Sequence, residues 1–330
     1  MNQRAYRFAS VFWALVFFLL ASAAIPRPTF GGTLSTEVIG MFPENVGEFA
    51  YADMKTARQY SWFPQLREQV LPSRFRQFEQ FLISAGVDPN TQVDELAWAA
   101  IKSPKSGEQI VGVALGDFSP ASTEARFKQQ KLPMVTIDGY NLYSYGGGTG
   151  PSGILFTFID ANTAAFGQRA ALQQLIDVRN GGAQSLLDNS ELSPLISEAN
   201  GNGLIWAVLD KSYTHLAIQQ LMPQATQFPQ AAPIINRMRA MIIDIQADSG
   251  IDAQFQAVCS SPDDANLLAA GLQGALLLRR YQEAQSNPDL ASALNQVSVT
   301  PSGDRLKVDA PVSQDQLLSL IRTRAFAVPM

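Results

Sequence analysis

The chain has 330 residues, of which 46% are hydrophobic and 16% are charged. This is the composition of a folded globular protein, and it excludes a disordered or fibrous one. The formal net charge is -5 with both signs scattered along the chain, so the basic surface that a nucleic-acid-binding protein needs is missing.

The N-terminus has the features of an export signal. Arg4 and Arg7 precede an apolar run at residues 8–25, which contains a small-x-small cleavage pattern at residues 21–23. The run is near the lower limit of about 17 residues for spanning a bilayer, so we expect cleavage, with a retained anchor as the alternative. Residues 1–24 are therefore predicted to be a signal peptide or membrane anchor. The body would be periplasmic or held at the outer face of the cytoplasmic membrane.

A stretch rich in Pro, Gly and Thr follows and is predicted to be a linker, residues 25–37. The folded body is expected from about Val38. In its first half the pattern predicts a strand that ends at Asp53 and leads into a helix. Further strands and helices are expected at residues 96–101, 109–115, 121–130, 135–143, 153–160, 163–167 and 168–178.

Two features between these elements suggest binding chemistry, but each has a structural explanation. Residues 148–153 match G-x-G-x-x-G, but a β-like segment follows where a dinucleotide-binding fingerprint needs a helix. We therefore predict a linker between strands. The tyrosines Tyr140, Tyr143 and Tyr145 predict an aromatic row on a hairpin, which favours cross-strand packing over stacking on a sugar or base.

The second half repeats the order of the first. A strand ending at Asp210 leads into a helix; two strands, a helix after Pro262 and a hairpin at residues 299–307 follow. The hairpin is matched to residues 135–143 of the first half. Such repetition predicts a duplication, with related units at residues 38–200 and 201–330.

His215 is the only histidine and Cys259 the only cysteine, so an intrachain disulfide is excluded. His215 opens a helix that Ser212 or Thr214 can cap, and we predict no catalytic role for it. Cys259 alternates with apolar residues in a strand, which predicts a buried, inert thiol.

The acidic residues of this half have the spacing of turns and caps. Asp244, Asp248 and Asp252 surround a turn without the EF-hand pattern, so we predict outward-facing polar side chains of a hairpin and no Ca²⁺ site. Asp263 and Asp264 follow Ser261-Pro262, which predicts a helix start.

The last strand shows clean alternation. Leu306, Val308 and Ala310 share one face, and Lys307 and Asp309 share the other. Such strands are typical of antiparallel sheets with one side in water. The predicted fold class is α+β: two tandem related units, each an antiparallel sheet with helices packed on one face.

The strand ending at Asp53, followed by a helix with Trp62-Phe63 near its start, resembles uncharacterised families of exported bacterial α+β proteins. The resemblance extends in outline over residues 42–322 and implies no catalytic residues. We predict a non-catalytic cell-envelope protein that binds or scaffolds another component, another envelope protein or itself. No catalytic, cofactor-binding or metal-binding residues are predicted. The alternatives are a carrier of an apolar ligand between sheet and helices, or a carboxylate-based hydrolase.

Overall fold

The computed structural model describes residues 32–70, 73–84, 86–103, 107–145, 150, 153–221, 235–247, 250–286 and 288–322. The predicted signal segment at residues 1–24 lies outside them. Among the described residues no helix is long and apolar enough to cross a bilayer. The strands are β1 Val46–Asp53, β2 Val93–Ser103, β3 Gly107–Gly116, β4 Met134–Ile137, β5 Tyr140–Tyr145, β6 Ile154–Phe158, β7 Thr163–Gln168, β8 Ile205–Asp210, β9 Met238–Ala247, β10 Gly250–Cys259, β11 Ser298–Ser302 and β12 Arg305–Ser313.

Helices alternate with groups of strands, and a short 3-10 turn spans Leu186–Asp188. The helices are α1 Thr36–Ile39, α2 Met54–Ala57, α3 Phe63–Val70, α4 Ser73–Ser84, α5 Pro89–Gln92, α6 Pro120–Gln129, α7 Arg169–Arg179, α8 Leu192–Ala199, α9 Lys211–Leu221, α10 Pro262–Ser286, α11 Pro288–Gln296 and α12 Gln314–Arg322.

The described strands form one twelve-stranded sheet in the order β11-β12-β10-β9-β8-β1-β2-β3-β7-β6-β5-β4. Each neighbouring pair is antiparallel, which confirms the α+β class with an antiparallel sheet. The separate sheet expected for each half is not observed, because β1 pairs with β8 at the centre, Ala50 opposite Ala207. The two halves share one continuous sheet.

Strand order agrees between the halves once the edge hairpin β4-β5 is set aside. From the central pair, β1-β2-β3 and β8-β9-β10 run outwards in the same order. The matching of the hairpins at residues 135–143 and 299–307 is wrong. The first of these, β4-β5, lies at the far edge of the sheet, whereas β12 pairs directly with β10. The hairpin next to β3 is β6-β7, and a helix follows it as α12 follows β12.

Helices cover both sides of the sheet in the first half and the centre. On one side, here called the α10 side, α3, α9, α10 and α12 pack on the second half, and α4 and α6 on the first. On the other, called the α8 side, α1, α7 and α8 pack on β1, β2 and β3 and on the central strand β8. The expectation of helices on one face therefore fails there. Consecutive residues of β1 are buried, Phe49 and Tyr51 on one side and Ala50 and Ala52 on the other.

The fold begins before the predicted start at Val38. Leu34 is 1% exposed, and its backbone exchanges two hydrogen bonds with the side chain of Asn200. Ser35 then caps α1 by accepting from the Val38 amide. The last part of the predicted linker thus belongs to the core, because an apolar side chain and a capped helical turn anchor it there.

Candidate binding face

The α8 side of the sheet is left largely without helices over β10 and β12. Strand alternation places polar side chains there, while Phe255, Leu306 and their neighbours pack beneath α10 and α12 on the opposite side. This surface is called the open face, and its polar residues are Asp244, Asp252, Gln254, Gln256, Arg305, Lys307 and Asp309. The alternation predicted for β12 is confirmed, with Leu306 and Ala310 buried and Lys307 and Asp309 half-buried.

Helix α8 forms the border of the open face, and Glu198 joins the two. The Gln256 side-chain amide donates to Glu198 Oε1 over 2.7 Å, and Arg305 Nη2 lies 3.3 Å from Glu198 Oε2. Further out, Lys307 Nζ lies 3.0 Å from Asp309 Oδ1, and the Ser298 hydroxyl donates to Asp309 Oδ2. These half-exposed contacts link three strands and a helix, and they leave both signs of charge within reach of solvent.

Asp244 lies at the buried end of the open face. Sequence analysis placed it among outward-facing polar residues, but it is only 8% exposed, so that expectation is wrong. The reason is α8, which packs on β8 and β9 and shields this position. Burial, reinforced by the Glu198 charge and partly offset by Lys307, raises the pKa of Asp244 to about 7. Its Oδ1 is buried without a hydrogen-bond partner among the described residues.

Asp252 shares this environment on the next strand. Burial, and then the charge of Asp309, raises the pKa of Asp252, while Lys307 acts in the opposite direction. Asp244 is in register with Gln254, and Asp252 with Gln246, so the two carboxylates are diagonal neighbours. Asp248, the third acid of the predicted hairpin, lies outside the described residues. No group of three His, Cys, Asp or Glu residues in the described part of the chain could hold a metal ion.

The strand-ending aspartates are helix caps. Asp53 Oδ1 accepts from the Thr56 amide over 2.8 Å, and Asp210 Oδ1 accepts from the Tyr213 amide over the same distance. Each strand-ending aspartate therefore binds an amide of the helix that follows it. The prediction that Ser212 or Thr214 caps this helix is wrong, because α9 starts at Lys211 and both residues lie inside the helix.

His215 lies on α9, partly buried, with Nε2 buried and without a hydrogen-bond partner among the described residues. Cys259 is 1% exposed, which confirms the predicted burial. That burial, with Asp264 and Asp304 nearby, raises the pKa of its thiol to about 11. The thiolate needed for nucleophilic chemistry is therefore disfavoured at neutral pH.

The start of α10 is also confirmed. The Ser261 hydroxyl accepts from the Asp264 amide and donates to its carboxylate, and Arg237 pairs with Asp264 over 2.5 Å. Hydrogen bonds from Arg237 and Ser261 hold the pKa of Asp264 below its usual value. These contacts account for Asp264 as part of a helix start, and Asp263 lies in the same first turn.

The tyrosines do not form one row. Tyr143 packs on the α10 side, where its ring lies 4.8 Å from Phe127, whereas Tyr140 packs on the α8 side and accepts from Arg179. Their positions in β5 differ by an odd number, which puts them on opposite faces. The side chain of Tyr145 and most of residues 148–153 lie outside the described residues. The strands β5 and β6 flank that glycine-rich segment, which confirms a linker between strands.

A cleft of about 500 Å³ lies between α3, α4 and α12. Ile321 is the apolar member of a lining otherwise made of Gln65, Glu68, Gln69, Arg76 and Arg322. This lining differs from the predominantly apolar one that suits an apolar ligand.

Sequence reasoning missed Glu198 and the helix that carries it. The signal was present in residues 192–199, where Leu192, Ile196 and Ala199 follow helical spacing and are buried, so that Glu198 lies off the buried stripe. Its position over the open face depends on the packing of α8, which no local pattern reports.

Comparison with known proteins gives no family. No family model matches the chain, and no curated protein matches it. A solved structure described as crystal form I of TP0453 is similar in outline, with a TM-score of 0.44 and 10% sequence identity over 88% of this chain and 98% of that chain.

Proposed function

We propose that the chain is a non-catalytic cell-envelope protein that binds another envelope protein through the open face. The observation that carries this proposal is the unequal covering of β10 and β12. One side of these strands is packed under α10 and α12, while the other presents half-exposed charged and amide side chains beside α8. Adaptable polar groups on a rigid sheet are suited to recognition.

The charges of this surface define the partner. Carboxylates outnumber cations among the open face and Glu198: Asp244, Asp252, Asp309 and Glu198 against Lys307 and Arg305. The raised pKa of Asp244, about 7, leaves part of its population neutral at physiological pH. The expected partner therefore carries Lys or Arg side chains, which steer its approach and pair with the remaining acids.

The predicted export of the chain supports this role, because it would place the open face where envelope proteins are accessible. The proposed site is the periplasm or the outer face of the cytoplasmic membrane, with residues 1–24 removed or retained as an anchor. Fractionation of producing cells, with N-terminal sequencing of the recovered chain, tests this. A soluble cytoplasmic protein that keeps residues 1–24 would contradict it.

We also infer that residues 38–200 and 201–330 are tandem units descended from a duplication. The matched order β1-β2-β3 and β8-β9-β10 supports this, as do the capping aspartates Asp53 and Asp210 at the ends of the central strands. On this proposal, β4-β5 is an addition to the first unit at the edge of the sheet.

Photo-cross-linking in producing cells tests the open face. A photoreactive residue replacing Gln254 should give an adduct heavier than the chain, and Asp309→Lys should remove that adduct by repelling a basic partner. The matched control is Asp117→Lys, because Asp117 is an exposed acid outside the open face. It should leave the adduct unchanged. An adduct that survives Asp309→Lys, or an absence of any adduct from position 254, would overturn the assignment.

A carboxylate-based hydrolase is the second candidate, favoured by the two neighbouring aspartates of raised pKa. It predicts turnover of ester or glycoside substrates that Asp244→Asn and Asp252→Asn abolish without loss of folding. Binding without catalysis predicts instead that the wild-type chain turns over none of these substrates. The same turnover assay therefore separates the two functions.

A further inference from the structure

Helix α10 is apolar on two sides. Ala265 and Ala269 are buried against the sheet, as expected for a core-facing stripe. On its outer side Leu267, Gly271, Gly274, Leu278 and Tyr281 follow one another at alternating intervals of four and three residues. This is the spacing of a coiled-coil seam. We call these five residues the outer seam.

The outer seam is exposed to solvent. Leu267 and Leu278 are each 56% exposed and Tyr281 is 82% exposed, with Leu277 beside them at 64%. Of the large apolar side chains that are exposed in the described part of the chain, most belong to this one helix. A contiguous apolar stripe on a single helix marks an interaction surface, whereas isolated exposed leucines do not.

The two glycines at the centre of the seam have no packing role within the chain. A Cβ atom added at Gly271 or Gly274 would meet nothing within 4 Å. Glycine inside a helix costs about 1 kcal/mol relative to alanine. A reason that does justify glycine is the close approach of another backbone, and in this helix the approach would come from outside.

The sequence of the helix is self-complementary about its middle. Starting from the point between Leu272 and Gln273, glycine occurs at equal distances on both sides, then alanine at 270 and 275, then leucine at 267 and 278. An antiparallel pair related by a twofold axis at this point would match each of these residues with its equivalent. Such self-complementarity is what an isologous interface requires.

Electrostatics favour the antiparallel direction. Parallel pairing would bring together the acidic first turns of two copies, which contain Asp263 and Asp264. Antiparallel pairing places them about 25 Å apart at a rise of 1.5 Å per residue. It also sets the positive end of one helix dipole beside the negative end of the other.

We propose that two copies of this chain associate through α10, antiparallel, about an axis between Leu272 and Gln273. The helix lies on the α10 side of the sheet, opposite the open face, so the pair leaves both open faces free. A single pair of helices buries less than the about 1,200 Å² of a standard interface, so we expect a dissociation constant in the micromolar range.

Distance measurements between spin labels test the geometry in the full chain purified from the envelope. Labels are placed on exposed positions 275 and 285 in separate samples. In an antiparallel pair the axial separation of equivalent residues grows by about 3 Å for each residue from the midpoint, twice the helical rise. We expect about 8 Å at position 275 and about 38 Å at position 285 along the axis. Equal short distances would show a parallel pair and overturn the proposal.

A substitution in the seam separates association from folding. Gly274→Gln introduces a good helix former where the side chain has open space, so it should raise the stability of the single chain. It should also block close approach and weaken association at least tenfold in sedimentation equilibrium. Leu187→Gln is the matched control, since Leu187 is 42% exposed outside α10, and it should leave association unchanged. Monomeric wild-type chain at about 100 µM, well above a micromolar dissociation constant, or unchanged association of Gly274→Gln, would overturn the proposal.

The proposals for the open face and for the outer seam can be tested independently. Asp309→Lys should abolish the cross-link at position 254 and leave self-association intact, while Gly274→Gln should do the reverse. If either variant removed both, the two surfaces would not be separate and the assignment of α10 to a second copy would be wrong.

Discussion

Strands β1–β3 and strands β10 and β12 belong to the same sheet but are covered differently. In β1 both sides are buried, with Phe49 and Tyr51 on the α8 side and Ala50 on the α10 side. In β10 one side carries Phe255 under the helices and the other carries Gln254 in partial contact with water. The alternation of apolar and polar residues along a strand thus shows whether one or both sides of the sheet are covered at that strand. It does not identify the fold. The region where it is cleanest is also where the sheet has a surface free for recognition.

The largest expected effect sharpens this contrast. Trp206 is fully buried on the α8 side at the centre, with its ring 5.5 Å from Tyr51 and 5.6 Å from Phe49. We expect Trp206→Ala to lower the free energy of unfolding by about 3–5 kcal/mol, because it removes a large side chain and leaves a cavity. Gln254→Ala on the open face should change it by less than about 0.5 kcal/mol. Urea denaturation measures both, and equal losses would mean that the open face is covered.

The second effect depends on pH and concerns the boundary between the two regions. Burial raises the pKa of Asp244 to about 7 from the ordinary value of 3.8 for an aspartate, so between these two pH values the folded chain holds a proton that the unfolded chain has lost. Stability should therefore fall as pH rises from about 4 to 7, by about 1.4 kcal/mol per unit at most, and level off above.

Asp244→Asn should remove this dependence and leave the variant more stable than wild type at pH 8. Urea denaturation at pH 5 and pH 8 measures the difference. The exposed residue Asp117 provides the control, and Asp117→Asn should follow the wild-type profile. If Asp244→Asn kept the wild-type slope, Asp244 would be solvated in the folded chain rather than shielded by α8.

The smallest expected effect concerns the one histidine, which has no counterpart in the first half. Asp53 and Asp210 both cap helices, but only the second helix carries a histidine. We expect His215→Ala to change the free energy of unfolding by less than about 1 kcal/mol and to leave the cross-link at position 254 intact. Loss of that cross-link with unchanged folding and abundance would show that His215 contributes to partner binding and contradict its assignment as an ordinary helix residue.

Local features were predictable from sequence. Ser261-Pro262 start a helix because a capping hydroxyl and a fixed φ angle act within one turn. The open side of β12 follows from its own alternation, and the burial of Cys259 from that of β10.

Features that depend on distant segments were not predictable. The pairing of β1 with β8 joins residues far apart in sequence, and the burial of Asp244 depends on α8. Tyr140 and Tyr143 were misassigned by parity, because an odd separation in a strand reverses the face. The outer seam of α10 was not predicted, because a helix that is apolar on both sides shows little amphipathic contrast.

The central pairing of β1 with β8 has a consequence for how the chain acquires its structure. Strand β1 is made early, yet Glu48 lies opposite Leu209, which emerges only after the whole first half. Until then one edge of β1 has no neighbouring strand, and its apolar side chains Phe49 and Tyr51 lack their contact with Trp206. Unpaired apolar edges recruit other chains, and contacts between distant segments form slowly. A nascent chain that has not yet made β8 is therefore more exposed to aggregation than the complete chain, and a factor that covers this edge would protect it.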